Sequence, residues 1–310
     1  MPYETFQVQG KRGCTLKGIR TLPKKHPKAI IQIFHGMGEH KFRYLPFMEF
    51  MSQKGYACYA HDHRKHGESV TVEDGYGLFE RNDRWDDVLD DAYFVTRKIL
   101  KDYPGSKIII LGHSMGSVIA QTYVANNALI PHAAIFMGAL APMSTGKTLA
   151  PRLMAKLMGL FKRKHSRSDF LAKVVNKPLI ASFGDSPRTP FEWLSHDEAI
   201  VDAYVEDPMC GYAYTPKFYA EFIKGISVAT STRTIGKMKD NPILFISGAE
   251  DPVGLYGEGV EEIYSRYSGH GFTQLTKKII EGARHEVLNE TSKLETFDYL
   301  LKWCDSTLMK

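Results

Sequence analysis

Three short stretches carry residue types that can perform acyl transfer. The first is "LGHSMGS", in which Gly112 and Gly116 flank Ser114 at two positions either side. It lies between an apolar run, "KIIIL", and a helix-like segment, "MGSVIAQTYVANN". Ser114 is therefore expected on a tight strand-to-helix turn, with its hydroxyl raised above a sheet. Side chains two residues away would collide in such a turn, which accounts for both glycines. An alcohol is a poor nucleophile at neutral pH, so Ser114 needs a base, and the base needs an orienting group. With a serine on this kind of turn, an acid and then a histidine follow in chain order, each after a later strand. "FISGAEDPVG" offers Asp251, with Glu250 beside it as the competitor, and "IIEGARHEVLNE" offers His285. Asp251 would accept the Nδ1 proton of His285, leaving Nε2 to take the serine proton. The developing oxyanion needs two fixed N–H donors. The amide of Met115 is one candidate; the other is Met37, in the loop "HGMGEH", where Gly36 and Gly38 let the backbone approach. His35, at the end of the preceding strand, is expected to order that loop by hydrogen bonding.

The elements that must position these residues follow from periodicity. "ETFQVQG" and "CTLKGIR" read as two strands around a "GKRG" turn. "KAIIQIFHG", "YACYAHD", "KIIILGHS", "HAAIFMGAL", "PILFISG" and "LTKKIIEG" read as further strands. Between them, "YLPFMEFMSQKGY" is expected to be a helix, with Pro46 near its start and Gly55 at its stop. Trp85, Val88, Ala92, Val95 and Ile99 form one apolar helix face, and Asp86, Asp87, Asp90 and Asp91 are expected on a solvated one. A closing helix should bury Leu294, Phe297, Leu301 and Cys304. Strands alternating with helices imply an α/β fold, a mostly parallel sheet covered on both faces. The alternation stops over roughly 143–228, so the expected organisation is a catalytic domain of 1–142 and 229–310 interrupted by a helical cap.

At 43% apolar and 24% charged, the 310 residues describe an ordinary globular chain. The longest aliphatic run, "IIIL", is far too short to span a membrane. The opening "MPYETFQVQGKRG" has no apolar core of a secretory signal, and the four cysteines are widely spaced. Both features point to reduced thiols and a cytoplasmic protein. The net charge of +5 conceals a basic segment, since 147–167 carries +7 and no acid. There, Leu149, Leu153, Met154, Leu157, Met158 and Phe161 form a helical stripe, with Arg152, Lys156 and Arg163 off it. Packing against the catalytic domain is the default reading; transient docking on an anionic membrane, with Met154 and Met158 lining an acyl tunnel, is the alternative. One basic patch with no recognised module gives no support for nucleic-acid binding.

Taken in order, "FHGMGEH", "DHRKHGES", "GHSMGS", "SGAEDP" and "GARHEVLNE" resemble the successive signatures of α/β-hydrolases of the monoglyceride lipase and bacterial lysophospholipase group. That group also carries the serine aminopeptidase domain label. The likeness covers nearly the whole chain and extends into the insertion, where "PFEWLSHDEAIVDAYVEDPMCGY" resembles the cap of bacterial members. The resemblance implies Ser114, Asp251 and His285 as a triad, Met37 and Met115 as oxyanion donors, no cofactor and no metal. It implies a single-chain lipid ester as substrate, a monoacylglycerol or lysophospholipid. A short-chain esterase, a thioesterase and a proline-type peptidase remain alternatives, and a silent ligand receptor on the same fold is a remote one. Acyl length, headgroup and oligomeric state are not legible.

"HDHRKHGES" poses a separate question, because His61, His63 and His66 have a spacing that can hold zinc. The resembling group carries D-x-R-G-x-G-x-S here, matched by Asp62, Arg64, Gly67 and Ser69, with Lys65 where a glycine is usual. That lysine stands where a zinc site of this spacing would need a carboxylate. The histidines are therefore expected to be structural, and the turn at Lys65 to differ from the usual one.

Overall fold

The computed structural model describes residues 3–70, 75–140, 166–184 and 186–309. Eight strands form one sheet in the order β1-β2-β4-β3-β5-β6-β7-β8. The strands are β1 (Glu4–Gln9), β2 (Thr15–Thr21), β3 (Ile30–Phe34) and β4 (Ala57–His61), then β5 (Ile108–His113), β6 (Pro131–Met137), β7 (Ile243–Gly248) and β8 (Leu275–Ile280). β2 pairs antiparallel with both β1 and β4, and every other pair is parallel. Parallel strands need a crossover apiece, and helices supply them on both faces.

Alternation along the central strands divides the core in two. Ile108 and Ile110 of β5 join one cluster with Val88, Val95 and Tyr123. Ile109 and Leu111 join the other with Phe47, Met51 and Phe297. The first layer contains α2 (Trp85–Asp102) and α3 (Met115–Asn126). The second contains α1 (Leu45–Gln53), with Pro46 in its first turn as expected, and the C-terminal helix Lys293–Leu308. Because the central strands β3, β4, β5 and β7 are buried on both faces, they read as mostly apolar runs and not as alternating ones.

Between β6 and β7, α4 (Asp169–Ile180) and α5 (Glu198–Glu206) flank a smaller cluster around Trp193, Leu194, Tyr204 and Cys210. α6 (Pro216–Ala229) then returns to the main body, placing Phe218, Tyr219 and Ile226 in the first core. Gly225 allows that return, since a Cβ there would come within 2.4 Å of the Trp85 indole. The boundary expected at 228 thus lies inside α6. The stripe of Leu149, Leu153, Met154, Leu157, Met158 and Phe161, with Arg152, Lys156 and Arg163, lies outside the described residues. Among the described residues, no helix is long and apolar enough to cross a membrane.

Two helix faces differ from expectation. In the C-terminal helix the buried set is Phe297, Leu300, Trp303 and Cys304, while Leu294 is 65% exposed. Asp87 and Asp91 are buried, not solvated. Arg64, itself buried, donates from Nε to Asp91 at 2.7 Å, and Arg12 donates to Asp87 at 3.1 Å. Nothing local in the helix announces those arginines, which arrive from separate loops.

Lys65 adopts the left-handed conformation that a glycine would adopt easily, with φ of 63°. A β-carbon there costs about 1–2 kcal/mol, and the bridge from Lys65 to the exposed Glu80 (3.2 Å) offsets little of it. Replacing Lys65 with glycine relieves this strain but frees the unfolded chain, which returns about 0.5–1 kcal/mol. Lys65→Gly is therefore expected to stabilise the fold by about 0.5–1 kcal/mol, read from urea unfolding midpoints.

Candidate active site

Ser114 sits between β5 and α3 with φ of 53° and ψ of −117°, a strained conformation for a residue with a side chain. Crowding imposes it. A Cβ on Gly116 would lie 2.0 Å from the Phe34 carbonyl oxygen, and one on Gly112 would lie 2.2 Å from the Gly116 carbonyl. Only glycines let α3 start so close to β3 and β5. The Ser114 N–H donates to the Met137 carbonyl at 2.9 Å, which ties the turn to β6.

Asp251 follows β7 and is fully buried. Its carboxylate accepts from Ser247 Oγ at 2.9 Å and from the Val253 N–H at 2.8 Å. Burial alone would raise its pKa, but the facing His285 and these donors outweigh burial and hold it below the ordinary value. Glu250 points elsewhere, half-exposed, with Oε2 3.1 Å from His196 Nε2. His285 follows β8, and its Nδ1 stands 2.9 Å from Asp251 Oδ2, though off the line of a well-aligned hydrogen bond. Its Nε2 has no hydrogen-bond partner among the described residues. The His285 ring lies 4.7 Å from that of His113, the residue before Ser114. The ends of β5, β7 and β8 therefore bring Ser114, Asp251 and His285 into one neighbourhood.

The loop after β3 closes over the same end. Of its three consecutive amides, Gly36 N–H donates to Glu39 Oε1 and Gly38 N–H to the Tyr214 hydroxyl. Met37 N–H has no partner among the described residues. The Met115 amide is one of those at a helix start that have no partner within the helix. A would-be Cβ on Gly36 lies 3.3 Å from Ser114 Cβ, so this loop runs directly past the serine. His35 does order it, through Nδ1 to the Gly36 carbonyl at 2.8 Å.

A charged network beneath the site was not legible in the sequence. Arg43 forks onto Glu286, with Nη2 2.7 Å from Oε2, and also reaches Glu39 Oε2 at 3.0 Å. Glu39 Oε1 in turn accepts from the Tyr44 hydroxyl at 2.8 Å and faces His113 Nδ1 at 3.2 Å. His113 Nε2 lies 3.3 Å from the His285 carbonyl oxygen. The only sequence signal was position, since Glu286 adjoins His285 and Glu39 lies four residues before Arg43.

The histidine run forms no converging metal site. Among the described residues, only His40, Asp207 and Cys210 bring three ligand atoms within 4.8 Å of one another. Even there, His40 Nδ1 accepts the Phe42 N–H, so Nε2 carries the proton it gives to Asp207 at 2.8 Å and has no lone pair for a metal. His61, His63 and His66 are buried; the His35 ring lies 4.2 Å from that of His63 and 5.2 Å from that of His66, and His61 meets His63 edge-on at 5.0 Å. Burial pushes His61 down to about 3 and His66 to about 4, which keeps both rings neutral.

Burial would lower the His113 pKa, but Glu39, through a hydrogen bond and its charge, raises it above the ordinary 6.5. A raised histidine contributes stability in full below its unfolded pKa and loses it as pH rises through the folded one. The stability advantage of the native chain over His113→Gln is therefore expected to shrink as pH rises above the ordinary histidine range, as followed by urea unfolding.

A family profile described as "Serine aminopeptidase, S33" matches residues 25–292. The chain is 29% identical over 281 residues to a monoglyceride lipase homolog of Monkeypox virus, covering 88% of this chain and 87% of that one. It is 26% identical over 291 residues to a monoacylglycerol lipase of Mycolicibacterium smegmatis, covering 92% and 91%. Its fold is similar to that of a thermostable carboxyl esterase from Bacillus coagulans, solved with glycerol, with a TM-score of 0.88, 25% identity and 99% of each chain covered. With the profile spanning most of its length and the sheet arranged as in that esterase, the chain belongs to the serine aminopeptidase S33 family and is an α/β-hydrolase enzyme.

Proposed function

We propose that this enzyme hydrolyses carboxylic esters of the monoacylglycerol type through an acyl-enzyme on Ser114. In this reading, His285 Nε2 takes the Ser114 proton as Oγ attacks the ester carbonyl. Asp251 holds the imidazole by Nδ1 and stabilises the imidazolium. The N–H groups of Met37 and Met115 receive the oxyanion. Collapse of the tetrahedral intermediate breaks the ester C–O bond, and His285 returns the proton to the leaving alcohol. Water, deprotonated by His285, then releases the fatty acid and restores Ser114.

The observation that carries this reading is the strained serine at the end of β5, beside a histidine held 2.9 Å from a buried carboxylate. The Met37 amide, without a partner among the described residues, supports the oxyanion assignment. The substrate class draws its support from relatives named as a monoglyceride lipase homolog and a monoacylglycerol lipase. We keep 143–228 as the cap, with α6 as the helix that anchors it to the body. The four free cysteine thiols support a reducing, cytoplasmic setting.

A fluorophosphonate is expected to label the native protein and not Ser114→Ala, and absence of native labelling would refute the acyl-enzyme. Asp251→Asn should lower kcat by about ten-thousandfold. Across p-nitrophenyl esters of rising chain length, a proline anilide and a monoacylglycerol, release of fatty acid from the monoacylglycerol should be fastest; faster anilide cleavage would favour a peptidase. For the proposed contact with anionic membranes, Lys156→Glu with Arg163→Glu should weaken sedimentation with phosphatidylserine vesicles. Unchanged sedimentation would reject that contact.

A further inference from the structure

The histidine run and a tyrosine from the segment between β6 and β7 meet at the loop that carries Met37. We propose that Tyr214 and His66 are positioning residues that set the oxyanion loop through a directed chain of hydrogen bonds. The proposal rests on the hydrolase reading above, because it concerns the aim of the Met37 amide.

The chain begins at Gly38, whose N–H donates to the Tyr214 hydroxyl oxygen. The Tyr214 hydroxyl lies 2.9 Å from His66 Nε2, and His66 Nδ1 lies 2.9 Å from the Arg64 carbonyl oxygen. Both ends have fixed polarity, since an amide N–H can only donate and a carbonyl can only accept. Each intermediate group therefore has one arrangement. His66 must carry its proton on Nδ1 and accept at Nε2, and Tyr214 must turn its own proton toward that nitrogen. A neutral His66 is required, and its burial favours that form. Arg64, where the chain ends, is clamped by Asp91 at 2.7 Å and Asp83 at 3.3 Å. The terminus is thus a rigid part of the body.

The other groups around Met37 are held as well. The Gly38 carbonyl accepts from Gly211 N–H at 3.0 Å, so the segment containing Tyr214 grips that residue by both backbone groups. On the opposite side, His35 joins the Gly36 carbonyl to the backbone of the run, accepting the His63 N–H at 3.0 Å. Met37 lies between two pinned neighbours. An oxyanion donor works only when it is aimed in advance at the place where charge develops. Gly38, with φ of 69°, could otherwise let the loop adopt several shapes. Tyr214 is buried and stacked on Phe218 with ring centres 3.9 Å apart, so its hydroxyl is fixed in place. Removing that oxygen leaves the stack and deletes its two hydrogen bonds, from Gly38 N–H and to His66 Nε2.

The test compares the native enzyme with Tyr214→Phe and His66→Leu on the p-nitrophenyl ester that the native enzyme turns over fastest. Thermal midpoints are measured alongside, as is inhibition by a trifluoromethyl ketone, whose hemiketal oxygen occupies the oxyanion position. Each variant should lose about tenfold in kcat, with KM within about twofold, a fraction of the cost of losing one donor outright. Ketone affinity should fall by the same factor as kcat. Native kcat and ketone affinity in either folded variant would overturn the proposal, as would a rise in KM alone. Failure of both variants to fold would make the pair ordinary core residues and overturn it too. An inert, unlabelled native protein would instead bring down the hydrolase reading, and the brace with it; a fully active native enzyme with indifferent variants removes the brace alone.

Discussion

The architecture depends on how closely α3 approaches β3 and β5. With Gly116 packed where a Cβ would overlap the Phe34 carbonyl, the chain has no room to leave β5 except through the sharp turn at Ser114. That turn costs backbone strain, and the surrounding structure must hold it. The bond from Ser114 N–H to Met137 and the fully buried strands on either side do so. A looser α3 would relax the serine into ordinary conformational space and withdraw its hydroxyl from the rim of the sheet.

The parallel order of the strands then converts sequence distance into proximity. β5, β7 and β8 end on the same side, so loops more than 130 residues apart meet above one edge. Polar groups brought together there are taken out of water, and each requires a partner. Asp251 finds Ser247, Val253 N–H and His285; Arg43 finds two carboxylates; Gly38 finds Tyr214 and Gly211. The same demand explains why two acids on α2 that a helical wheel would leave in solvent are buried. Arginines from elsewhere compensate them, and a buried carboxylate so paired is tolerated where an unpaired one is not.

The segment between β6 and β7 is fastened to this rim by hydrogen bonds. His285 N–H and Glu286 N–H donate to the carbonyls of Trp193 and Leu194, and Arg284 reaches the carbonyls of Glu192 and Ser195. The buried Glu290 gathers the amides of Arg284 and His196. The loop bearing the proposed base is therefore ordered in part by residues 192–196, to which it is hydrogen-bonded.

The sequence by itself determined the alternation of strands and helices, the glycine-bounded turn at Ser114 and the order in which Asp251 and His285 follow. These are written in local patterns, such as apolar runs, turn glycines and spacing along one strand or helix. It also pointed to the histidine run as a structural feature, but not to what that feature supports. Tertiary structure alone decided that Lys65 would adopt a left-handed turn, that Asp87 and Asp91 would be buried against Arg12 and Arg64, and that Leu294 would face solvent. It alone assembled Arg43, Glu39, His113 and Glu286, and joined His66 to Gly38 through Tyr214. Those contacts link residues as much as 243 positions apart, and no local periodicity encodes which distant charge or hydroxyl will satisfy a buried group.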